Sequence, residues 1–522
     1  MTTQWKEHRH VPTSLWSGTL LALLTMILSL PAAAEPDHTT YVVRCTVSTP
    51  EARRAIEAAG GVIDHFDGQT LRAYVRKGDW ATFQTTGIPY TIESIQPNPR
   101  KQLSSYPSHT EIGAFLSDVA EANPTLCQLI SLGRSVQGRE LWALQITDNP
   151  GVEEDEPEFA YLSTMHGDEV VGTVLCLNFI ELLLEGYGQD STITELIDET
   201  ELWIVPLLNP DGYEMGIRWN ANNADLNRSF PQWPTDFSGT IATESTLDTI
   251  GREPEVAAVM DWTANHTFAL MANYHTGALV VNYPYDEEPG IPSGTEAPAP
   301  DDPLLRSLSS AYANLNPPMA ASLSFPGGIT NGSAWFSIAG GMQDWHYRFS
   351  GTIDLTLEVS NTKTPRESTL LALWNDNREA MLAYLALVHQ GIRGRVSGPA
   401  SGEALFATLT VDDNPQPVFT DPDIGDYHRL LTPGTYTLRA EAPGYIPYTM
   451  VDIVVPDGGT VRADITLSQG DVDGNGRVDA TDLQLIVNAI LGRSDNPAAD
   501  VDGNGVSATD LQQLVNRVLG RA

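Results

Sequence analysis

The feature that most constrains this chain is a junction. An apolar run, Glu158–Thr164, ends in His166-Gly167-Asp168-Glu169 and passes at once into a stretch with helical apolar spacing, Val170–Glu185. A strand that turns through polar residues into a helix is the building unit of a layered α/β domain. A histidine and a glutamate three apart at such a turn can converge on one ion, and imidazole with carboxylate suits zinc. A third ligand has to come from elsewhere, and His275, which ends the apolar run Phe268–Tyr274, is placed to supply it. A lone histidine is more often a hydrogen-bonded structural residue, so the surrounding sequence has to decide.

The alternation of strand-like and helix-like segments continues from about Ser104 to Gln390. Glu111–Ala122 reads as an amphipathic helix. Cys127–Gly133, Leu141–Thr147, Glu201–Leu207 and Ile353–Val359 read as strands, and Thr369–His389 as a long closing helix. The expectation for 104–390 is an α/β domain with a mixed central sheet flanked by helices. Residues 40–96 form a separate unit with the pattern βαββαβ: Tyr41–Val47, Pro50–Ala59, Val62–Asp67, Thr70–Arg76, Asp79–Thr86 and Tyr90–Ser94. Asp67-Gly68 is a good hairpin turn, and the order is that of a ferredoxin-like α+β domain. After Gly391 the texture changes to short alternating strands with Gly and Pro turns, as expected of a small β-sandwich over 391–468. Residues 470–522 contain an internal repeat, Asp471-Val-Asp-Gly-Asn-Gly and Asp500-Val-Asp-Gly-Asn-Gly, each followed by an apolar-periodic helix.

Charge narrows the function. Lys and Arg total 29 against 67 Asp and Glu, a net −38, and only Lys6, Lys77, Lys101 and Lys363 are lysines. That field repels phosphate backbones and anionic lipid, so neither nucleic acid nor a membrane is an expected partner. Three cysteines, Cys45, Cys127 and Cys176, make no disulfide framework, and a Cys45–Cys127 bridge is not expected. The first 34 residues have a basic start, an apolar stretch from Leu15 to Leu30 and an Ala-x-Ala ending at Ala34, the form of a secretory signal peptide. The expected location is extracellular.

An ordered set of motifs decides the junction. They are Ser135-Val-Gln-Gly-Arg-Glu140, His166-Gly-Asp-Glu-Val-Val-Gly172, Asn209-Pro-Asp-Gly-Tyr213, Asp225-Leu-Asn-Arg-Ser-Phe-Pro231, Gly328-Ile-Thr-Asn-Gly332, Gly340-Gly-Met-Gln-Asp344 and Leu355-Thr-Leu-Glu-Val359. Together they resemble the zinc metallocarboxypeptidases of the regulatory branch, the carboxypeptidases N, E and D, over 106–390 and on through the sandwich. The resemblance implies one catalytic zinc on His166, Glu169 and His275, with water in the open fourth place. It implies Glu358 as general base, Arg218 as stabiliser of the oxyanion, and Asn227 and Arg228 as the clamp on the substrate's terminal carboxylate. The last feature makes such an enzyme an exopeptidase on peptide or protein C-termini. The branch's acidic pocket residue falls on Asp286, eleven positions past His275, and its pocket amide on Gln343, which implies cleavage of C-terminal Arg and Lys. Two departures stand out. Phe336 occupies the position twenty-two residues before the base where the family has a substrate-capping Tyr, and Thr276 follows the third ligand where Gly is usual. Tyr285 and Tyr347 are candidates to compensate for the missing phenol.

The terminal repeat resembles a type I dockerin, which implies calcium, in one or two loops, and a cohesin-type scaffold partner. In the first loop Asp471, Asp473, Asn475, Asp479 and Asp482 take positions 1, 3, 5, 9 and 12, the oxygen-rich shell of a hard cation. In the second, Asp500, Asp502 and Asn504 fit, but Asp510 arrives one residue early. Residues 391–468 resemble the transthyretin-like sandwich of the same branch. Residues 40–96 resemble a carboxypeptidase prodomain in layout, with Arg100-Lys101 as the cleavage point; a permanent accessory domain is the alternative. Beside the enzyme stands a reading of another class, a peptide- or surface-binding protein of weakened turnover, motivated by Phe336. An amidase or deacylase on the same fold is disfavoured by Asn227 and Arg228.

Overall fold

The computed structural model describes residues 39–47, 49–66, 69–96, 106–236, 249–399, 402–443, 445–473, 478–494, 496–501 and 505–518. The expected signal peptide, the Asp67-Gly68 turn, Arg100-Lys101, and the loop residues Asn475, Asp502 and Asn504 lie outside them.

Four strands open the chain: β1 (Thr40–Thr46), β2 (Gly61–Phe66), β3 (Thr70–Arg76) and β4 (Tyr90–Gln96). They form one antiparallel sheet in the order β2-β3-β1-β4, with helices Pro50–Ala58 and Trp80–Gln84 inserted as βαββαβ. The second helix is shorter than the sequence pattern suggests. The core of this unit is not its own alone: Val43, Ile56, Ile63, Leu71 and Phe83 share one cluster with Ala278, Val280, Phe325, Trp335 and Phe336 from the large domain.

The large domain is built on an eight-stranded mixed sheet. Its strands are β5 (Cys127–Arg134), β6 (Glu140–Ile146), β7 (Glu158–Ser163), β8 (Glu201–Val205), β9 (Phe268–His275), β10 (Leu279–Tyr283), β11 (Ile329–Asn331) and β12 (Ile353–Val359). The order is β11-β10-β12-β9-β7-β8-β6-β5, with β12, β9, β7 and β8 mutually parallel at the centre. These four strands are buried along their whole length, because helices cover both faces. Alternation assigns the faces. Phe159 and Tyr161 of β7 enter the core beneath helices Val171–Gly186 and Leu370–Ala386. Ala160 and Leu162 face the opposite core, with Trp203, Val259 and Trp345. The helix His109–Ala122 starts earlier than its apolar pattern because Ser108 and Glu111 close a capping box. Cys45, Cys127 and Cys176 are buried and unbridged. Among the described residues no single helix is long and apolar enough to cross a membrane.

The C-terminal β-rich domain has β13 (Gly391–Ser397), β14 (Thr408–Val411), β15 (Asn414–Phe419), β16 (Asp426–Arg429), β17 (Gly434–Glu441), β18 (Tyr448–Val455), β19 (Thr460–Arg462) and β20 (Ile465–Thr466). Two sheets, β16-β13-β19 with β20 beside β13, and β15-β14-β17-β18, enclose one apolar core. The segment 460–466 forms two short strands and not one: Ala463 donates from its amide to the Arg393 carbonyl, and the Asp464 side chain instead takes the Arg395 amide. The domain is fastened to the large domain by a buried pair, Arg429 Nη2 to Asp301 Oδ1 at 2.7 Å, with Tyr347 donating to the other oxygen of Asp301 at 2.8 Å. Beyond it, helices Ala480–Ile490 and Ala508–Val518 pack around Val472, Ile486, Ala499, Val501 and Leu514.

Candidate active site

The central sheet places the site. In the parallel pair β9–β12, His275 stands opposite Glu358, and in β7–β9, Ser163 stands opposite Tyr274. The chain leaving β7 therefore reaches the same end of the sheet as His275 and Glu358. It turns at Thr164, which adopts φ +55°, and brings His166 and Glu169 over that end. The turn is tight: a Cβ on Gly167 would lie 2.0 Å from the carbonyl carbon of Gly212, so no other residue fits between the two loops. The glycine of Asn-Pro-Asp-Gly is needed for its own reason: a Cβ on Gly212 would lie 2.4 Å from the Trp219 carbonyl oxygen.

His166, Glu169 and His275 are all buried and their side-chain ligand atoms converge. The two Nδ1 atoms are 3.1 Å apart, and the Glu169 oxygens lie 2.9 Å from that of His166 and 2.8 Å from that of His275. Two ring nitrogens turned on each other, with a carboxylate closing the triangle, are a poor set of mutual hydrogen-bond partners and a good set of donors to one cation. The chemistry of the donors fits zinc. Burial opposes ionisation of Glu169, but Lys363 and the two histidines overrule it and hold the carboxyl well below its ordinary range.

The supporting residues are buried as well. His166 Nε2 meets Asp225 Oδ1 at 3.1 Å, and Asp225 Oδ2 accepts from Arg218 Nε at 2.9 Å. Burial would raise the Asp225 pKa; Arg218 and His166 instead keep it well below the usual carboxylate range. Asp225 thus orients a metal-type histidine and the adjacent guanidinium together, as outer carboxylates do at metal sites. Lys363 Nζ donates to Glu169 Oε1 at 2.7 Å, and the Thr276 amide donates to Glu169 Oε2 at 3.1 Å. The Thr276 hydroxyl donates to the Lys363 carbonyl, so threonine is accommodated where the branch usually has glycine. Sequence reasoning gave no role to Asp225 or Lys363. For Asp225 the signal was present, since it opens the Asp-Leu-Asn-Arg motif; Lys363 stood out only as a rare lysine.

One cleft is lined by His166, Glu169, His275, Arg218, Asn227, Arg228, Asp286, Phe336 and Glu358. Gln343 reaches it through its neighbour: its Nε2 donates to Asp286 Oδ1 at 2.8 Å, and Asn282 Nδ2 donates to the same oxygen at 3.0 Å. Asp286 is 2% exposed, so it does not belong to a solvated acidic loop. Burial, and then the neighbouring Asp344, push its pKa well above the ordinary value. A Cβ on Gly332 would lie 1.9 Å from Asp286 Oδ1, which accounts for the glycine there. Asn227 Oδ1 accepts the Met342 amide, and Arg228 is anchored through the Asn227 carbonyl. Neither Tyr285 nor Tyr347 lines the cleft: the Tyr347 hydroxyl is spent on Asp301, and the Tyr285 ring lies under the Arg348 guanidinium at 3.5 Å.

The N-terminal unit closes this cleft. Ile63 of β2 lines it, and the Ile63 carbonyl accepts from Arg228 Nη2 at 3.4 Å. Lys363 Nζ sits 4.5 Å from the centre of the Tyr74 ring on β3. The space left is a cavity of about 30 Å³, room for a water or two and not for a peptide.

In the terminal module, Asp471, Asp473 and Asp482 bring their carboxylates together. Asp482 accepts the amides of Val472 and Asp479 at 2.7 Å. Asp510, one residue early in sequence, accepts those of Val501 at 2.6 Å and Ser507 at 2.7 Å, so it takes the structural place of Asp482 in the shortened loop.

Comparison with known proteins gives three consecutive matches. A zinc carboxypeptidase model matches residues 112–380, a carboxypeptidase regulatory-like domain 391–468, and a dockerin type I domain 469–519. Carboxypeptidase D of Mus musculus is 39% identical over 408 residues, covering 74% of this chain and 28% of that protein. The chain thus spans well under half of carboxypeptidase D. The carboxypeptidase N catalytic chain of Mus musculus is 39% identical over 369 residues, covering 65% and 80%, and carboxypeptidase M of Mus musculus 37% over 368 residues, covering 66% and 79%.

Proposed function

Because the chain belongs to the zinc carboxypeptidase family, and is a zinc metallocarboxypeptidase with a dockerin module, we propose that it is an exported exopeptidase that removes C-terminal Arg and Lys from peptides or proteins. The observation that carries the basic specificity is Asp286, a buried carboxylate on the cleft wall with the Gln343 amide beside it. A guanidinium or ammonium can take up its charge. An apolar terminal residue would leave it desolvated and unpaired, so rejection contributes as much as attraction.

One zinc on His166, Glu169 and His275 would supply Lewis acidity at the scissile carbonyl and make water a competent nucleophile near neutral pH. Glu358, opposite His275 in the sheet register, takes the proton from the attacking water and delivers it to the leaving amine. Arg218 is held by Asp225 beside His166 and Glu169, which places its guanidinium to meet the oxyanion. Asn227 and Arg228 hold the terminal carboxylate, the guanidinium bidentately. Phe336 packs over the cleft without the hydrogen bond of a phenol; that difference favours the second reading, a peptide-binding protein of weakened turnover.

Residues 40–96, a ferredoxin-like unit, act as a prodomain in this proposal. Support comes from Ile63 in the cleft and from its carbonyl on Arg228, the group reserved for substrate. Release follows cleavage at Arg100-Lys101. The terminal module binds one or two calcium ions and docks to a cohesin-type partner on a scaffold or surface. The transthyretin-like sandwich over 391–468 is a packing partner of the catalytic domain.

The deciding assay uses peptides that differ only in their last residue, with and without a zinc chelator, on wild type and Asp286→Ala. The expected result is chelator-sensitive release of Arg and Lys over Leu, with the discrimination falling by about 2–5 kcal/mol in the variant. No release, or release indifferent to chelation, sinks the enzyme; a preference that survives the substitution sinks the pocket. Fully active material that still begins near Glu35 would refute the prodomain.

A further inference from the structure

On the face of the molecule where the β-sandwich meets the catalytic domain, two strand residues and one loop residue meet that no step above uses. Asp426 and His428 are two apart on β16 and so project from the same side of the strand. Asp155 reaches them from the acidic loop before β7. Ligand atoms from the three side chains lie within 4.8 Å of one another.

The pairing is incomplete in a telling way. Arg462 Nη2 binds Asp155 Oδ2 at 2.7 Å, and His428 Nε2 binds Asp426 Oδ2 at 3.0 Å. Asp155 Oδ1 and Asp426 Oδ1 are both buried from solvent and have no hydrogen-bond partner. Asp426 is 2% exposed, so its orphaned oxygen cannot be satisfied by bulk water. A buried carboxylate oxygen without a donor bears its desolvation penalty uncompensated. Two of them, one from each domain, mark a place where a positive partner belongs.

The surroundings sharpen this. Asp421 is buried nearby, its amide on the Asp426 carbonyl; burial first and then Glu158 push it upward, and the same two causes raise Glu201 to about 7. Asp426 is raised as well, by burial first and by Asp155 and Asp421 after the help of His428 is counted. Arg462 is already shared between Asp155 and Asp464, and His266 is committed to Glu158 at 2.7 Å. His428, with Asp421 and Asp423, also lines a cavity of about 320 Å³, which supplies an entry path and room for coordinated water.

We propose that Asp155, Asp426 and His428 form a second divalent-cation site, of the imidazole-plus-carboxylate kind that suits zinc or manganese, joining the sandwich to the catalytic domain. The ion would be structural, because Asp426 and Asp155 belong to different domains and neither lies at the cleft.

The test uses the full chain, with excess calcium present to keep the terminal loops filled, and with the cleft silenced by His166→Ala and His275→Ala. The protein is loaded with Zn²⁺, or in a parallel sample Mn²⁺, desalted and analysed for bound metal. The expected result is one retained equivalent per chain, lost on adding Asp155→Asn or His428→Gln. In the otherwise wild-type chain, Asp155→Asn should leave turnover unchanged while lowering the melting temperature only when metal is present. No retained equivalent in the cleft-silenced protein overturns the proposal, and that count does not depend on whether the site variants fold. An equivalent that survives both substitutions overturns the assignment of ligands, and displacement by calcium overturns the assigned class of cation.

Discussion

The catalytic cleft and the terminal module both gather carboxylates around an expected ion, but they are built in opposite ways. In the cleft the ligand-type residues come from the ends of β7 and β9, far apart in sequence, and are held by a sheet buried on both faces. In the module the acidic residues fall within a short loop, and the described core amounts to Val472, Ile486, Ala499, Val501, Leu514 and their partly buried neighbours. A core that small supplies little stability alone. The cleft should therefore be a site the fold makes for the metal, and the module a fold the metal makes.

The sharpest way to break that contrast is at Glu358. Replacing it by Gln should lower kcat by roughly 10²–10⁴-fold while zinc content and melting temperature stay at wild-type values, because the base is not a ligand. Loss of zinc in E358Q would show that the cleft is less independent of its ion than the sheet suggests. Retained turnover would remove Glu358 from the mechanism.

Calcium removal probes the other side. Chelating calcium should cost the ordered helices Ala480–Ile490 and Ala508–Val518, seen as lost helical circular dichroism and as protease cuts within 470–522. Removing zinc alone should leave the spectrum of the catalytic domain intact. The asymmetry is a linkage effect, since the ion stabilises only the state whose ligands it gathers. Equal responses to the two chelators would collapse the comparison.

The same contrast explains what could be read in the sequence. The loop positions Asp471, Asp473 and Asp482 are legible from spacing because ligands within one loop are placed by local backbone. The bounds of β3, Thr70–Arg76, were legible from alternation, and burial follows it except at Tyr74, which is buried against Trp219. The zinc trio was only half legible from spacing: His275 was a candidate as the end of an apolar run, but the resemblance was needed to single it out, because strand register is a tertiary fact. Asp155, Asp426 and His428 were invisible for the same reason, being joined only when two domains pack. The departure at Phe336 was legible, but its surroundings were not: the structure packs it, with Trp335, into the core shared with the N-terminal unit. A phenol hydroxyl buried there would need a partner.

A smaller effect tests whether the cleft is preformed. Asp225→Asn keeps the shape but removes the charge that faces His166 and Arg218. Zinc affinity should fall about 10–100-fold, the usual cost of losing an outer carboxylate, with the fold unchanged. Competition with a chromogenic chelator measures it. An unchanged affinity would mean that Lys363 and Arg218, not Asp225, set the poise of the site.

The smallest expected effect separates the two loops of the module from each other. In the first, Asp479 caps its helix by accepting the Thr481 amide at 2.7 Å, while its own amide goes to Asp482. In the second, Ser507 takes both parts: its hydroxyl accepts the Thr509 amide at 3.1 Å and its amide goes to Asp510. The backbone arrangement is thus kept after the one-residue deletion, and the main chemical difference at this position is a hydroxyl in place of a carboxylate. Calcium affinity in such loops is tuned by ligand charge, so Ser507→Asp should tighten binding by the second loop by up to about tenfold. Calorimetric titration of the full chain would read it as a stronger weak step with the tight step unmoved. If the weak step is unchanged or weakens, the deletion and not the missing charge limits the second loop, and the likeness of Asp510 to Asp482 ends at the backbone.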